Sequence, residues 1–357
     1  MKEINTVYVL TEYKRIPLFF SCKPFLDYEG SNFKFKIVFR LSKIFKVKNS
    51  QYLILIRHPK DYEDLDTLFL KLRERFKSIA YFDDEDSARI ARPDIIKFVD
   101  VYFKKQLYKD KSLYLGRNQS LPTYVEYYRK KRTYEMGSFS NKLNELDLKK
   151  LHVAWNLSVG VYPMHTMKIR IASVLALIIG AKSSYRLLKF TTKLYSFPRK
   201  KKENSVSCQF SVPDDIDYGY QRNMIREIFS EDKNVIKTFK SERSYKLTLA
   251  SSKITISPYG WGEVCFRDTE AILAGSVLVK PDMSHLETWP NIYQAFENYY
   301  PVDWDFNEIR QQVHEILQNE EYLEKIASKA KQSLFYQLSL TEDRVELFMS
   351  LMVGEKN

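Results

Sequence analysis

One stretch of the chain, residues 254–293, constrains the fold more than any other. It reads ITISPYGWGEVCFRDTEAILAGSVLVKPDMSHLETWPNIY. The β-branched run at 254–256 predicts a buried strand, the paired glycines predict a loop, and the apolar spacing that follows predicts a helix ending at Gly275. The apolar residues 277–279 predict the next strand. We therefore expect a βαβ unit whose glycine loop and helix N-terminus lie at one edge of a parallel sheet.

Such an edge is suited to anions, because the unpaired N–H groups of the first helical turn point outward and the helix dipole favours negative charge. Four charged residues cluster there: Glu263, Arg267, Asp268 and Glu270. A helix that only packs against a sheet does not require them, although acidic residues also favour helix N-termini for structural reasons alone. The cluster predicts a ligand site on the glycine loop.

The segments SPYGWGE, RDTEAILAG and LVKPDMSHLETWP resemble the C-terminal, donor-binding half of bacterial glycosyltransferases of the GT-B fold. The resemblance is to enzymes of surface-polysaccharide and lipopolysaccharide assembly, and it is strongest over residues 254–293. It implies an α/β protein with two Rossmann-like domains facing a cleft. It also implies a nucleotide-sugar donor and no metal or other cofactor.

In many such enzymes two glutamates flank the start of this helix. The resemblance implies that Glu270 holds the ribose hydroxyls of the donor and that Glu263 lies near the sugar as a catalytic residue. The two are seven residues apart here, where the commonest pattern has eight. Retention and inversion both stay open. Arg267 and the backbone of Gly260, Trp261 and Gly262 would stabilise the leaving phosphate.

A chain of 357 residues predicts two domains, because it exceeds the usual size of one core. We expect an acceptor-binding domain at 1–165, a basic apolar helix and linker at 166–203, and a donor-binding domain at 204–340. A final helix at 341–357 is expected to pack back on the first domain, as closing helices do in GT-B folds.

The formal charge of +12 is confined to one segment. Between residues 148 and 202 there are twelve Lys or Arg and no Asp or Glu, which leaves 45 residues of each sign in the rest of the chain. Aromatic side chains and an apolar helix accompany these charges. The pattern favours an anionic membrane surface as partner through residues 168–202, although a solvated linker and nucleic acid fit the charge as well.

A run of acidic residues, Asp83 to Asp86, follows the predicted buried strand at 78–82. Ligands bind beyond the carboxyl ends of strands in open α/β sheets. Asp84 or Asp86 could therefore be the general base that activates an acceptor hydroxyl. Two alternatives stay open: the cluster could hold a divalent cation, or Asp86 or Ser87 could cap a helix beginning at Ala88.

Two further donor contacts are predicted in the second half of the chain. Arg222, near the start of that domain's first helix, could reach a diphosphate, although a surface arginine is an equal alternative. His285 or Glu287, in the loop after the second strand, could touch phosphate or sugar. No histidine is assigned as catalytic.

The sequence thus predicts a glycosyltransferase that moves a sugar from an activated donor to a glycan or lipid-linked glycan. Three cysteines without metal-like spacing, and no signal peptide, predict a cytoplasmic protein, peripheral at the inner face of the membrane. The alternatives are a metal-dependent transferase using Asp83 to Asp86, a carbohydrate-binding protein without catalysis, and a nucleic-acid-binding protein. No nucleic acid partner is expected, because such a partner leaves the acidic residues beside the glycine loop unexplained.

Overall fold

The computed structural model describes residues 4–48, 50–59, 64–115, 121–132 and 143–354. The predicted terminal segments 1–3 and 355–357 lie outside the described residues. The strands are β1 (Asn5–Leu10), β2 (Phe33–Val38), β3 (Ser50–Ile56), β4 (Phe76–Asp83), β5 (Val101–Lys104), β6 (Gln106–Tyr108), β7 (Leu151–Val153), β8 (Asn204–Ser207), β9 (Val235–Ile236), β10 (Ser252–Ile256), β11 (Val277–Pro281), β12 (Leu286–Thr288) and β13 (Tyr300–Val302).

The α-helices are α1 (Lys23–Asp27), α2 (Leu41–Ile44), α3 (Leu65–Arg73), α4 (Thr123–Lys131), α5 (Glu145–Lys149), α6 (Thr166–Ile179), α7 (Ala181–Thr191), α8 (Ile216–Ile228), α9 (Glu242–Ser251), α10 (Phe266–Leu273), α11 (Ile309–Leu317), α12 (Glu320–Ser339) and α13 (Thr341–Val353). A π-helical turn lies at Pro17–Ser21, and short 3-10 turns lie at Ile96–Phe98, Lys111–Tyr114 and Leu157–Val159.

The first sheet has the order β2-β1-β3-β4-β5-β7, and every neighbouring pair is parallel. Its central strands are continuous apolar runs, and residues 53–56 of β3 are buried without exception. Such runs are typical of parallel strands that are covered on both faces. This sheet forms the first Rossmann-like domain.

The second sheet has the order β13-β11-β10-β8-β9 and is also parallel throughout. The predicted βαβ unit is present as β10, α10 and β11, with Ile254 paired to Val277. Gly275 has φ +70°, a left-handed conformation that favours glycine at the end of a helix. The fold prediction of two Rossmann-like domains is confirmed.

The domains face each other across a cleft and are joined at several points. β6 of the first domain pairs antiparallel with β12 of the second. The last helix, α13, packs on the first sheet, where Phe348 stacks on Phe103 with ring centroids 3.6 Å apart. The return of the C-terminal helix α13 to the first domain is typical of the GT-B arrangement. Together with the β6–β12 pair, it sets the position of the two sheets on either side of the cleft.

The sequence also predicts a strand over 206–212 and a loop over 214–220, and the structure differs at both. The strand ends at Ser207. Asp215 accepts hydrogen bonds from the amides of Asp217 and Tyr218 and starts α8 within the expected loop. No helix begins at Ala88: residues 84–95 run as bends and turns, so a capping role for Asp86 or Ser87 does not apply.

Candidate active site

A cavity of about 440 Å³ opens between the two domains at the cleft. The first domain and the start of α6 contribute Asp86, Leu157, Met164 and Thr166. The second domain contributes most of the lining, namely Gln209, Phe210, Ser211, Arg222, Phe239, Glu242, Tyr245, Lys246, Gly260, Trp261, Gly262, Val264, Cys265, Phe266, Arg267 and Glu270. Six of the seven predicted donor-binding residues therefore lie on one cavity, whose size suits a small-molecule ligand.

The glycine loop and the start of α10 form one wall of this cavity. The Asp268 carboxylate accepts a hydrogen bond from the Cys265 amide at 2.9 Å, which fixes the first turn of α10. Tyr124 of the first domain donates to the Gly260 carbonyl at 2.8 Å. Trp261 is 57% exposed at the cavity rim and lies 4.4 Å from the ring of Tyr218. The loop is thus held in place while the first-turn amides of α10 stay near the cavity.

Glu270 is a buried carboxylate on the cavity wall. Its side chain is 4% exposed, and the Tyr245 hydroxyl donates to Oε2 at 2.8 Å. Burial raises the pKa of Glu270 to about 7, and the hydrogen bond from Tyr245 and the charge of Arg267 only partly oppose this effect. Among the described residues, Tyr245 gives the one hydrogen bond to this carboxylate, which leaves acceptor positions open to a ligand in the cavity.

Two guanidinium groups, those of Arg222 and Arg267, line the cavity near Phe210. Their centres lie 6.0 and 5.3 Å from the centroid of that ring. Arg222 Nε donates to the Tyr259 carbonyl at 3.0 Å, and Arg267 Nε donates to the Gln209 carbonyl at 3.2 Å. Within the described ranges neither arginine is ion-paired with a carboxylate, so carbonyl groups position both cations while their charges remain available to an anion.

Helix α9 supplies cavity residues that the sequence did not single out. Tyr245 orients Glu270, and Lys246 Nζ donates to the Met164 carbonyl at 2.9 Å and to Glu242. Both residues precede the central strand of the unit in an ordinary amphipathic segment. No motif marks them, and only the packing of α9 beside α10 reveals their position.

Glu263, predicted to lie near the donor sugar, is not among the residues that line the cavity. It is fully buried, and its Oε2 accepts hydrogen bonds from the Ala88 amide at 2.9 Å and from Gln106 Nε2 at 3.3 Å. Burial raises its pKa. The neighbouring Gly262 is pressed against the first domain, because a Cβ at this position would lie 1.7 Å from the Asp86 carbonyl oxygen. Glu263 therefore joins the two domains.

Asp84 is likewise unsuited to the role of general base. Its Oδ1 accepts a hydrogen bond from Arg57 Nε at 2.5 Å, and its Oδ2 accepts one from Ser21 Oγ at 2.8 Å. The carboxylate is buried and is not part of the cavity lining. A base that is ion-paired and buried away from the cavity cannot reach an acceptor hydroxyl there.

Asp86 does line the cavity. Its Oδ1 pairs with Lys105 Nζ at 2.9 Å. Burial alone would raise the pKa of Asp86, but the charges of Lys105, Arg57 and Lys104 together outweigh that effect and hold the pKa below its usual range. Of the two predicted bases, Asp86 is the one that lines the cavity.

His285, for which a donor contact was predicted, is not among the residues that line the cavity. Its ring is 5.2 Å from Trp304 and 6.3 Å from Tyr108, next to β12. Burial lowers its pKa to about 4, so the ring is neutral near pH 7. The structure therefore places an uncharged ring among aromatic side chains at this position.

The acidic cluster is engaged by basic side chains. Asp83 pairs with Lys104 at 3.1 Å and accepts a hydrogen bond from the Tyr102 hydroxyl at 2.7 Å. In the part of the chain that the structure describes, no three His, Cys, Asp or Glu side chains are grouped to hold a metal ion.

Also within those residues, no helix is both long and apolar enough to cross a membrane.

No protein-family model matches the chain, and no curated protein matches it in sequence. Solved structures with a similar arrangement include TarM of S. aureus, at 10% identity and a TM-score of 0.46, covering 84% of this chain. The chain spans only 54% of TarM's length.

Two other solved structures match over the whole chain. HepE of Anabaena, in complex with UDP, has 10% identity and a TM-score of 0.47, with 97% of this chain and all of HepE covered. An α-glucosyltransferase in complex with UDP has 9% identity and a TM-score of 0.49, with 98% and 100% covered. At such distances the likenesses carry no argument about the reaction, and the functional case rests on the cavity of this chain.

Proposed function

We propose that this chain is a glycosyltransferase that uses a nucleotide sugar as donor. One observation carries the proposal: a single interdomain cavity combines the carboxylate of Glu270, the guanidinium groups of Arg222 and Arg267, and the N-terminal turn of α10. A nucleoside diphosphate needs this combination, since its ribose diol donates hydrogen bonds and its phosphates are anionic.

In this proposal Glu270 accepts hydrogen bonds from the ribose hydroxyls. Arg222, Arg267 and the first amides of α10 stabilise the charge that develops on the leaving diphosphate. Glycosyl transfer passes through an oxocarbenium-like state with an anionic leaving group, so stabilising this charge is the main catalytic task. The arginines suit it because backbone carbonyls already hold them in place, which lowers the cost of reorganisation.

The acceptor would enter from the first domain, where Asp86 is the general base that we favour. We propose a glycan or lipid-linked glycan as acceptor, surface-polysaccharide assembly as the setting and the cytoplasm as the location. The resemblance of residues 254–293 supports these finer assignments. We also propose that the reaction requires no metal ion, because cationic side chains and the helix dipole supply positive charge at the cavity.

A thermal-shift panel of UDP, GDP, CDP, CMP, ADP and 5-phosphoribosyl diphosphate, with and without chelator, tests this proposal. A ligand that binds only the native state raises its stability by RT ln(1 + [L]/Kd). We expect one nucleotide to raise Tm equally with and without chelator. Glu270→Ala should abolish that shift, whereas the control Glu287→Ala, at an exposed position outside the cavity, should retain it.

The contrary outcomes separate the alternatives. A shift that needs a divalent metal and ignores Glu270 would move the site to Asp83 to Asp86. A shift without any turnover of the matching nucleotide sugar would indicate a binding protein. No shift with any compound would remove the donor site from this cavity.

A further inference from the structure

Helices α6 and α7 form a hairpin whose outer surface is apolar and uncovered. On α6 the side chains of Ile169, Ala172, Ser173 and Ala176 are buried toward the protein. The opposite face carries Met167, Ile171, Val174 and Ile178, which are spaced four, three and four residues apart and are all exposed. This spacing places them on one stripe of the helix.

The apolar side chains on the outer side of both helices are largely exposed. Ile178 is 78% exposed, and Phe190 on α7 is 91% exposed. Scattered single apolar residues are normal on protein surfaces, but a row of exposed apolar residues along one helix face is typical of an interaction site. We call the set Met167, Ile171, Val174, Ile178, Leu187 and Phe190 the hairpin face.

Positive charges border the hairpin face. Lys168, Arg170, Lys182, Arg186, Lys189 and Lys193 are exposed on the two helices or just beyond them. No acidic residue occurs between positions 148 and 202. Asp27 accepts hydrogen bonds from the Lys189 ammonium at 3.1 Å and from the Tyr185 hydroxyl at 2.9 Å. These contacts anchor α7 on the first domain, and among the described residues no ion pair with a carboxylate involves the other five cations.

We propose that the hairpin face docks on an anionic lipid bilayer, with the apolar stripe among the acyl chains and the cations at the headgroups. A helix of 14 residues is about 21 Å long, which suits a helix lying in the interface plane. Nucleic acid would satisfy the cations but would leave the aliphatic stripe without an apolar partner. A second copy of the chain would bring two sets of like charges together, which is unfavourable.

The hairpin face lies beside the donor cavity. Met164 and Thr166 line that cavity, and Thr166 is the first residue of α6. The bilayer would therefore lie close to the cavity mouth, which gives a lipid-linked acceptor a short route to Asp86. The docking itself does not depend on the proposed glycosyl transfer and is tested without a donor.

Vesicle flotation is the test. We expect the full chain to float with vesicles of phosphatidylcholine and 30 mol% phosphatidylglycerol, and to float poorly with phosphatidylcholine alone. The double variant Ile178→Ser/Phe190→Ser should lower the partition coefficient at least tenfold. The control Leu70→Ser/Tyr336→Ser, which changes two exposed residues away from the hairpin, should leave it unchanged.

Charge removal gives the second arm. Lys182→Gln/Arg186→Gln should weaken binding to the anionic vesicles about fivefold per charge, the equivalent of about 1 kcal/mol each. All variants change exposed side chains, so their Tm values should match the wild type. Any variant that melts early is replaced by the corresponding alanine variant.

Three results would overturn the proposal. Flotation that ignores Ile178→Ser/Phe190→Ser would mean simple electrostatic adsorption. A dimer that the same variant dissociates, without vesicle binding, would make the face a contact between copies. Binding of a DNA duplex with no vesicle binding would make it a nucleic-acid surface. None of these results changes the nucleotide thermal shift, so a failure here is distinct from a failure of the proposed function.

Discussion

The two acidic regions of this molecule look alike in sequence and differ in structure. Both Asp83 to Asp86 and Glu263 to Glu270 follow buried strands of parallel sheets. In the first domain, Lys104, Arg57 and Lys105 pair with Asp83, Asp84 and Asp86. In the second domain Asp268 is likewise paired with Lys280 at 3.2 Å, but Glu270 receives one hydrogen bond from Tyr245 and has no ion pair among the described residues.

The difference lies in the adjacent elements. β5 ends in Lys104, which is paired with Asp83 of β4. The register of the sheet therefore places the Lys104 ammonium next to the Asp83 carboxylate. Among the residues that the structure describes, no cation lies within hydrogen-bond distance of the Glu270 carboxylate. Asp83 and Asp84, which are paired and lie away from the cavity, stabilise the native structure, whereas Glu270 lines the cavity and is open to a ligand.

The largest effect is expected at the first of these regions. Lys104→Met leaves the buried Asp83 carboxylate without its ion-pair partner, which should lower the free energy of unfolding by about 3–5 kcal/mol. Urea denaturation measures it. The control Lys97→Met breaks an exposed pair with Asp66 at 3.7 Å and should cost less than about 1 kcal/mol. Equal losses in the two variants would contradict a structural role for the Asp83 pair.

The second prediction concerns Glu270 itself. Glu270→Gln should weaken binding of the nucleotide about 10- to 100-fold, because two charge-assisted hydrogen bonds become neutral ones. Glu270→Gln should not lower the free energy of unfolding at pH 8. Burial raises the pKa of Glu270 to about 7, so at pH 8 a mostly ionised carboxylate is buried in the apo protein, which lowers the free energy of unfolding. A neutral Gln side chain does not have this unfavourable effect. Calorimetric titration and urea denaturation check the two parts. A destabilised variant would mean that Glu270 is structural, like Asp83.

The third prediction concerns the contact between the regions. Gly262→Ala would place a Cβ against the backbone of Asp86 and Ser87, at 1.7 Å from the Asp86 carbonyl oxygen. Backbone atoms cannot yield as a flexible side chain can, so we expect a loss of about 1–3 kcal/mol. Gly260→Ala is the control, since its nearest foreign atom is an Arg222 side-chain nitrogen at 3.2 Å. If both substitutions have the same small effect, the loops are not tightly packed.

The smallest expected effect is the change of nucleotide affinity with pH. Nucleotide affinity should be constant above about pH 8 and should fall by at most tenfold per unit as the pH drops below about 7. The sign follows because the ligand favours the ionised form of Glu270, whose pKa in the free protein is about 7. Glu270→Gln should remove this slope, and any slope left in that variant belongs to the phosphate. A wild-type affinity that is flat from pH 5.5 to 8 would contradict the assignment.

The sequence predicted the second region better than the first. Spacing and glycines around β10 and α10 are local signals, so the unit and most of its cavity residues could be placed from the chain alone. The roles of Asp84 and Glu263 depended on long-range partners, since Arg57 and Ala88 come from other segments. Tyr245 was missed for the same reason: its contact with Glu270 arises only when α9 packs beside α10.

A crystal structure with the nucleotide that gives the largest thermal shift tests the central claim most directly. We expect the ribose hydroxyls within about 3 Å of the Glu270 carboxylate and the phosphates at Arg222, Arg267 and the first turn of α10. A nucleotide bound instead at Asp83 to Asp86, or outside the interdomain cavity, would contradict the account.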